Sequence, residues 1–250
     1  MNKNIRYSVR LAYDGAAYHG WQIQENAYSV QAEITACIKK LLGTDVSVIG
    51  CGRTDKGVHA KEFYLHFDLP KPLAMEEDKF LYKCNAILPK DIVFYEIKLV
   101  RKEWHARFSA LSRSYEYHLH THKSAFLNQY SFFYPFEVDV PKMNEAAKIL
   151  FEYIDFSSFS KSKTQTKTND CKIMEAYWER TGGQLVFHIT ADRFLRNMVR
   201  AIVGTLLEVG KGRLSQEEFR QIIESKNRSN AGMSVPGNAL FLTKIMYPEN

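Results

Sequence analysis

Apolar residues recur along this chain in two patterns, and the order of these patterns limits the folds that it can adopt. Apolar side chains at every second position are typical of half-buried strands, whereas spacings of three and four residues are typical of helices. In the first part of the chain they predict strand 5–13, helix 30–41, strand 46–50, strand 63–67, helix 77–86 and strand 93–99. Ser29 is the predicted N-cap of the first helix and Gly43 its predicted end. The order β-α-β-β-α-β is that of the ferredoxin-like unit.

The second part of the chain repeats this order with one added helix. The patterns predict strand 113–121, helix 141–151, strands near 172–180 and 184–191, helices at about 194–208 and 215–225, and strand 240–246. Gly182 and Gly183 predict a hairpin turn between the two middle strands. We therefore expect an α+β fold of two ferredoxin-like (βαββαβ) halves, with antiparallel sheets joined around a central cleft. The expected domains are residues 1–106 and 107–250.

Composition and charge restrict the partners and the compartment. A net charge of +6 over 250 residues, with many aromatic side chains, favours a nucleic acid over a membrane surface. No apolar run approaches the length of a membrane span, and residues 1–6 lack the apolar core of a signal peptide. We therefore expect a cytoplasmic protein without a membrane partner.

Cysteine and histidine positions give little support for a metal site. The four cysteines lie far apart and form no Cys-x-x-Cys pair, which argues against zinc and against a disulfide framework. Free and mostly buried thiols are expected instead. His118, His120 and His122 alternate along a predicted strand, a pattern that fits a polar strand face better than a metal site.

A glycine-rich loop at residues 50–60 holds the first candidate catalytic group. Asp55 stands between Arg53 and Lys56, and neighbouring cations favour the ionised carboxylate. Such a carboxylate can serve as a nucleophile or a base. Asp-x-Gly is also ordinary turn chemistry, and on spacing alone the structural turn is the better interpretation.

Two later stretches offer further candidates with equally plain alternatives. Tyr115 begins the strand that opens the second half, where it can either stack on a flat ring or pack in the core. Arg193, Arg196 and Arg200 fall on one side of the helix predicted at 194–208. Three arginines in a stripe fit a solvated face or phosphate contacts, and Arg200 can alternatively turn into the cleft and pair with Asp55. The polar, basic stretch 160–169 is expected to be a mobile loop.

Five stretches together resemble the TruA family of tRNA pseudouridine synthases. They are Gly52-Arg53-Thr54-Asp55-Lys56-Gly57-Val58-His59-Ala60; Tyr13-Asp14-Gly15 with Gly20-Trp21-Gln22; Asn85-Ala86-Ile87-Leu88-Pro89; His105-Ala106-Arg107-Phe108-Ser109-Ala110 with Arg113 and Tyr115; and Phe194-Leu195 with Met198-Val199-Arg200 and Gly204. They span most of the chain. The resemblance reverses the structural interpretations of Asp55 and Tyr115.

The resemblance implies an RNA isomerase that needs no cofactor or metal. Its substrate would be uridine in the anticodon stem-loop of tRNA, at positions 38 to 40, and the enzyme would act as a homodimer. Asp55 would be the essential carboxylate, acting on the ribose C1′, on the uracil ring or through a glycal-type route. Tyr115 would stack on the uracil and take its C5 proton, and Arg200 would pair with Asp55.

The resemblance also implies residues that bind the substrate. Arg53 would help hold the flipped nucleotide out of its stack, and Leu240 would form a wall of the pocket. Base extrusion is required because the ring must rotate before it is rejoined. The loop 160–169, Lys123, Arg193 and Arg196 would contact phosphates, which carry affinity without reading sequence.

Some positions depart from the family pattern and leave other functions open. Lys61-Glu62 follows Ala60, Asp192-Arg193 precedes Phe194, and Gly237-Asn238-Ala239 precedes Leu240. A divergent pseudouridine synthase for another RNA or another tRNA position is therefore one alternative. A non-catalytic RNA-binding protein is a second, although Asp55 and Tyr115 are both present. A hydrolase with an aspartate nucleophile is a third, but the metal-binding carboxylate cluster that it would need is not seen.

Overall fold

The computed structural model describes residues 4–161 and 168–248, and its helices and strands divide between two units. The first unit comprises residues up to Leu111 together with those from Leu242 onward, and the second comprises Ser112–Phe241. The predicted division into domains at residue 106 remains a prediction.

The first unit has the predicted β-α-β-β-α-β order. Its elements are β1 (Ile5–Tyr13), α1 (Val30–Leu42), β2 (Ile49–Gly50), β3 (His59–Leu69), α2 (Glu77–Ile87) and β4 (Ile92–Val100). β1 lies between β4 and β3, β2 pairs with the far side of β3, and all these neighbours are antiparallel. Ser29 caps α1 by accepting a hydrogen bond from the Ala32 N–H, and Gly43 ends it in the left-handed conformation, as predicted.

The second unit contains the remaining elements. They are β5 (Ser112–His120), β6 (Phe132–Phe133), α3 (Val140–Ile149), β7 (Ile173–Thr181), β8 (Gln184–Ala191), α4 (Met198–Gly210), α5 (Gln216–Glu224) and β9 (Leu240–Met246), of which β9 begins in this unit and ends in the first. β8 lies antiparallel between β5 and β7, and the unexpected short β6 runs parallel to β5. The predicted hairpin is confirmed, because Gly182 and Gly183 both adopt positive φ between paired Thr181 and Gln184.

The beginning of α4 corrects one prediction. The helix was predicted to begin at residue 194, but it begins at Met198, after Asn197 in the left-handed conformation with φ 68°. A left-handed residue cannot continue a right-handed helix, so Arg193 and Arg196 precede the helix instead of sharing a stripe with Arg200. Periodicity missed this break because Leu195 and Met198 are both buried and keep the helical spacing.

The α+β class is confirmed by these mostly antiparallel strands and separate helices, whereas two ferredoxin-like halves remain a prediction. All four cysteines are buried and free, as expected. The predicted loop 160–169 falls largely outside the described residues, at 162–167.

A buried histidine in the first unit connects the fold to pH. The His66 side chain on β3 is 1% exposed, its Nδ1 accepts the Ala106 N–H at 3.2 Å, and His105 lies 4.6 Å away between ring centres. Burial, followed by the positive charges of Arg6 and His105, lowers the pKa of His66 to about 4, against the opposing effect of Asp68. The folded chain therefore holds a neutral imidazole down to acidic pH.

This histidine should make the protein less stable in mild acid. The unfolded chain binds the proton near pH 6.5, whereas the folded chain binds it only near pH 4, so the stabilisation is complete above 6.5 and is lost as the pH falls to about 4. The loss attributable to this group is on the order of 3 kcal/mol. Urea unfolding of the wild type and of His66→Asn at pH 7 and pH 4.5 should show a smaller pH difference for the variant. Equal differences would contradict this assignment.

Candidate active site

Asp55 lies on a tight turn in the loop between β2 and β3. Its backbone carbonyl accepts the Val58 N–H at 3.2 Å, and Gly57 within the turn has φ 77°. The turn that Asp-x-Gly predicts is therefore present. It does not compete with a catalytic role, because the bond that closes it uses the main chain of Asp55 and not its carboxylate.

Two glycines in the segment between β1 and α1 let this segment lie against the backbone of the turn. A Cβ at Gly20 would stand 2.3 Å from the Thr54 carbonyl oxygen, and a Cβ at Gly15 would stand 2.0 Å from that of Val58. Both distances are shorter than any real carbon–oxygen contact. The Trp21 N–H also donates to the Thr54 carbonyl at 3.2 Å. The backbone on both sides of Asp55 is thus held by main-chain contact.

Buried side chains also hold this loop in place. The Tyr13 and Thr54 hydroxyls share a buried hydrogen bond of 2.9 Å. Nδ1 of buried His59 lies 2.8 Å from the Asp14 carboxylate and 3.1 Å from the Gly15 N–H. One nitrogen cannot donate to the first and accept from the second at once, so the tautomer of His59 selects which bond forms. Either bond ties the start of β3 to the end of β1.

The loop presents one half-buried carboxylate with exposed cations beside it. Asp55 is half-buried, whereas Arg53 and Lys56 are exposed. The backbone of this loop is fixed in place, and the neighbouring positive charges attract a polyanion. These charges can offset the repulsion between the Asp55 carboxylate and an anionic substrate.

Tyr115 lies on β5 in the second unit and is half-buried. The Phe194 ring meets it edge to face at 5.1 Å between centres. Beside it, an Nη of Arg113 donates to the Asp192 carbonyl at 2.7 Å. These contacts join β5 to the segment that precedes α4, and they restrict the orientation of the Tyr115 ring.

Arg200 lies in the first turn of α4, and its guanidinium is held by backbone. Its Nε donates to the Val235 carbonyl at 2.7 Å, and the Val235 N–H returns a bond to the Arg200 carbonyl at 3.2 Å. The Tyr117 hydroxyl donates to the neighbouring Pro236 carbonyl at 2.9 Å. Burial raises the pKa of Tyr117, against the opposing charge of Arg200, so this phenol stays neutral.

The remaining predicted residues of the second unit differ in exposure. Leu240 is 5% exposed at the start of β9, and its predicted role as a pocket wall remains a prediction. Arg193 is half-buried and lies near Cys171, whose thiol pKa is raised by burial to about 12 against the charge of this arginine. Arg196 and Lys123 are exposed. Arg196 and Lys123 are therefore better placed than Arg193 to contact phosphates in solvent.

Sequence reasoning missed the contacts that hold the candidate residues. Tyr117 lies two residues after Tyr115 and therefore on the same face of β5, but nothing in the sequence indicates its bond to Pro236. Val235 carried no signal at all. Asp55 belongs to the first unit and Arg200 to the second, so their predicted pairing remains a prediction.

The described residues offer neither a metal-binding cluster nor a membrane-spanning helix. Within 4–161 and 168–248, no three His, Cys, Asp or Glu side chains are grouped so as to hold a metal ion. None of the helices in these ranges is long and apolar enough to span a lipid bilayer.

Comparison with known proteins identifies the family to which this chain belongs. A family model described as tRNA pseudouridine synthase matches residues 146–248. The chain is 52% identical to tRNA pseudouridine synthase A of Bacteroides fragilis over 246 residues, covering 98% of this chain and 97% of that protein. It is 51% identical to the protein of the same name from Parabacteroides distasonis and 36% identical to that from Bacillus licheniformis, in each case over at least 96% of both chains. The chain therefore belongs to the tRNA pseudouridine synthase A family.

Proposed function

We propose that this protein isomerises uridine to pseudouridine in the anticodon stem-loop of tRNA, at positions 38 to 40, with Asp55 as the essential carboxylate. The observation that carries the proposal is the Asp55 turn, which Gly15 and Gly20 hold by backbone contact in a chain of this family. A fixed carboxylate within a basic loop suits a reaction at a single nucleotide of a polyanion.

The reaction replaces one bond to the ribose by another without any net change in composition. The C1′–N1 bond breaks, the uracil rotates, the C1′–C5 bond forms, and the proton that leaves C5 is balanced by one that N1 acquires. Atoms and electrons balance within the substrate, so no cofactor or metal enters the proposal. Asp55 acts at the C1′, on the ring or through a glycal-type route, and its ionised form is the nucleophile or base in each.

The other residues receive the roles that the resemblance implies. Tyr115 is proposed to stack on the uracil and take the C5 proton, since its ring is oriented by Phe194. Arg200 is proposed to pair with Asp55 and keep it ionised. Arg53 would hold the extruded nucleotide, and Leu240 would line the pocket. Arg193, Arg196 and Lys123 would contact phosphates.

The proposal extends to the assembly, the fold and the compartment. We propose a homodimer in which each tRNA touches both subunits, and a cytoplasmic location. Each half of the chain, 1–106 and 107–250, is proposed to be a ferredoxin-like domain. The β-α-β-β-α-β order of the first unit supports this for the first half.

The test is release of tritium from unmodified tRNA that carries tritium at C5 of its uridines. We expect release by the wild type, and none when the uridines at positions 38 to 40 are replaced by cytidine. Release from the replaced tRNA at the same rate would contradict the proposed positions. Release only from another RNA would contradict the tRNA substrate, and no release from any RNA would overturn the isomerase.

A further inference from the structure

The segment 231–236, which we call the strap, lies against the first turns of α4. A Cβ at Gly204 in α4 would stand 1.8 Å from the Met233 carbonyl oxygen, and one at Gly232 would stand 2.9 Å from the backbone of Thr205. The Gly232 N–H also donates to the Thr205 hydroxyl at 2.9 Å. The strap therefore touches the helix backbone, and this contact requires glycine on both sides.

Asn197 does not cap α4, and its side chain binds the strap instead. It is the residue at the N-cap of α4, where an asparagine side chain normally accepts a backbone N–H of the first turn. Here it adopts φ 68° and makes no capping bond. Its side-chain amide instead donates to the Ser234 hydroxyl. The left-handed backbone directs this side chain away from its own helix and onto the strap.

The Ser234 hydroxyl accepts a second hydrogen bond from another direction. An Nη of half-buried Arg228 donates to the same hydroxyl oxygen at 2.8 Å, and its other Nη donates to the Ala231 carbonyl at 3.3 Å. A hydroxyl oxygen has two lone pairs, and both are engaged by these donors. The position of Ser234 is thus fixed from α4 on one side and from the segment before the strap on the other.

The residue after Ser234 is the one that holds Arg200. The Val235 carbonyl accepts the Arg200 Nε at 2.7 Å, so the place of this carbonyl sets the direction of the guanidinium. An unrestrained arginine side chain has many rotamers, and the bond to Val235 removes most of them. Ser234 is joined to Val235 through the backbone, and this is the route by which it can act on Arg200.

We propose that Ser234, held by Asn197 and Arg228, is a positioning residue that fixes the Arg200 guanidinium for the reaction. The inference rests on the proposed function, in which Arg200 serves Asp55. The proposed role of Ser234 affects the rate of the chemical step and not the affinity for RNA. Arg200 is fixed on α4 whatever residue follows at position 234, and Ser234 sets only the direction of its guanidinium.

The test compares Ser234→Ala, Ser234→Thr and the matched surface change Ser229→Ala, using tritium release, tRNA binding and thermal unfolding. Loss of the acceptor in Ser234→Ala should lower kcat about tenfold with KM and tRNA affinity within about twofold. Ser234→Thr retains the hydroxyl and should recover most of the rate. Ser229, which is exposed on the neighbouring turn, should tolerate alanine without a change in kcat.

A double variant decides whether Ser234 acts through Arg200. If it does, adding Ser234→Ala to Arg200→Ala should slow the reaction no further than Arg200→Ala alone. A further tenfold loss in the double variant, a wild-type kcat in Ser234→Ala, or failure of Ser234→Thr to recover the rate would each overturn the inference. If Ser234→Ala does not fold, the cycle is measured with Asn197→Gly, which keeps the positive φ and lacks the donor. A wild type inactive on every RNA would instead overturn the proposed function, and this inference with it.

Discussion

Asp55→Asn is expected to lower the rate of tritium release by at least about a thousandfold. Asparagine keeps the size of the side chain and favours the same turn, but it offers no anionic oxygen to attack carbon or to pair with an arginine. The turn is closed by the main-chain bond between the Asp55 carbonyl and the Val58 N–H, so it should survive the change. Thermal unfolding and tRNA binding of the variant should therefore remain close to those of the wild type.

The matched control is Asp45→Asn, which removes a negative charge from an exposed position. Asp45 is 84% exposed and pairs only at the surface with Lys39, so the variant should retain full activity. Measured side by side, the two variants separate the loss of a reacting group from the loss of one charge. Activity of Asp55→Asn within tenfold of the wild type would reject Asp55 as the essential carboxylate.

Local signals were sufficient to predict most of the helices and strands. The cap at Ser29, the stop at Gly43 and the hairpin at Gly182-Gly183 each depend on residues within a few positions of one another, and all three are present. The start of α4 was missed because it depends on a distant contact. Asn197 leaves the helical conformation where its side chain reaches Ser234, 37 positions further along the chain.

The candidate site shows the same division between local and distant causes. The glycine loop predicted the turn at Asp55, and the resemblance favoured catalytic roles for Asp55 and Tyr115 over their structural interpretations. The supports were invisible, because a close approach between Gly20 and Thr54 leaves no periodic signal in the sequence. Gly204 within α4 is a similar case: a glycine that should weaken a helix is present because the Met233 carbonyl occupies the place of its side chain.

The close approach at Gly20 leads to the second large effect, in Gly20→Ala. Its φ of 95° strains any L-residue, at a cost of about 1–3 kcal/mol, and the new Cβ would stand 2.3 Å from the Thr54 carbonyl oxygen. The backbone must therefore move next to Asp55. A displacement of about 1 Å at a reacting group can lower a rate about a hundredfold, so we expect at least that loss in tritium release, together with a lower unfolding temperature.

Two glycine controls separate strain from displacement. Gly43 has φ 67° with nothing within 4 Å of a new Cβ, so Gly43→Ala should lower stability by about 1–2 kcal/mol and leave activity unchanged. Gly52 lies in the loop itself, also with open space around the new Cβ, and Gly52→Ala should have little effect on either property.

If Gly43→Ala lost as much activity as Gly20→Ala, global instability would explain both. If Gly20→Ala stayed fully active, the contact with Thr54 would not position Asp55. A selective loss in Gly20→Ala would mean that the position of the carboxylate depends on the absence of a side chain at Gly20.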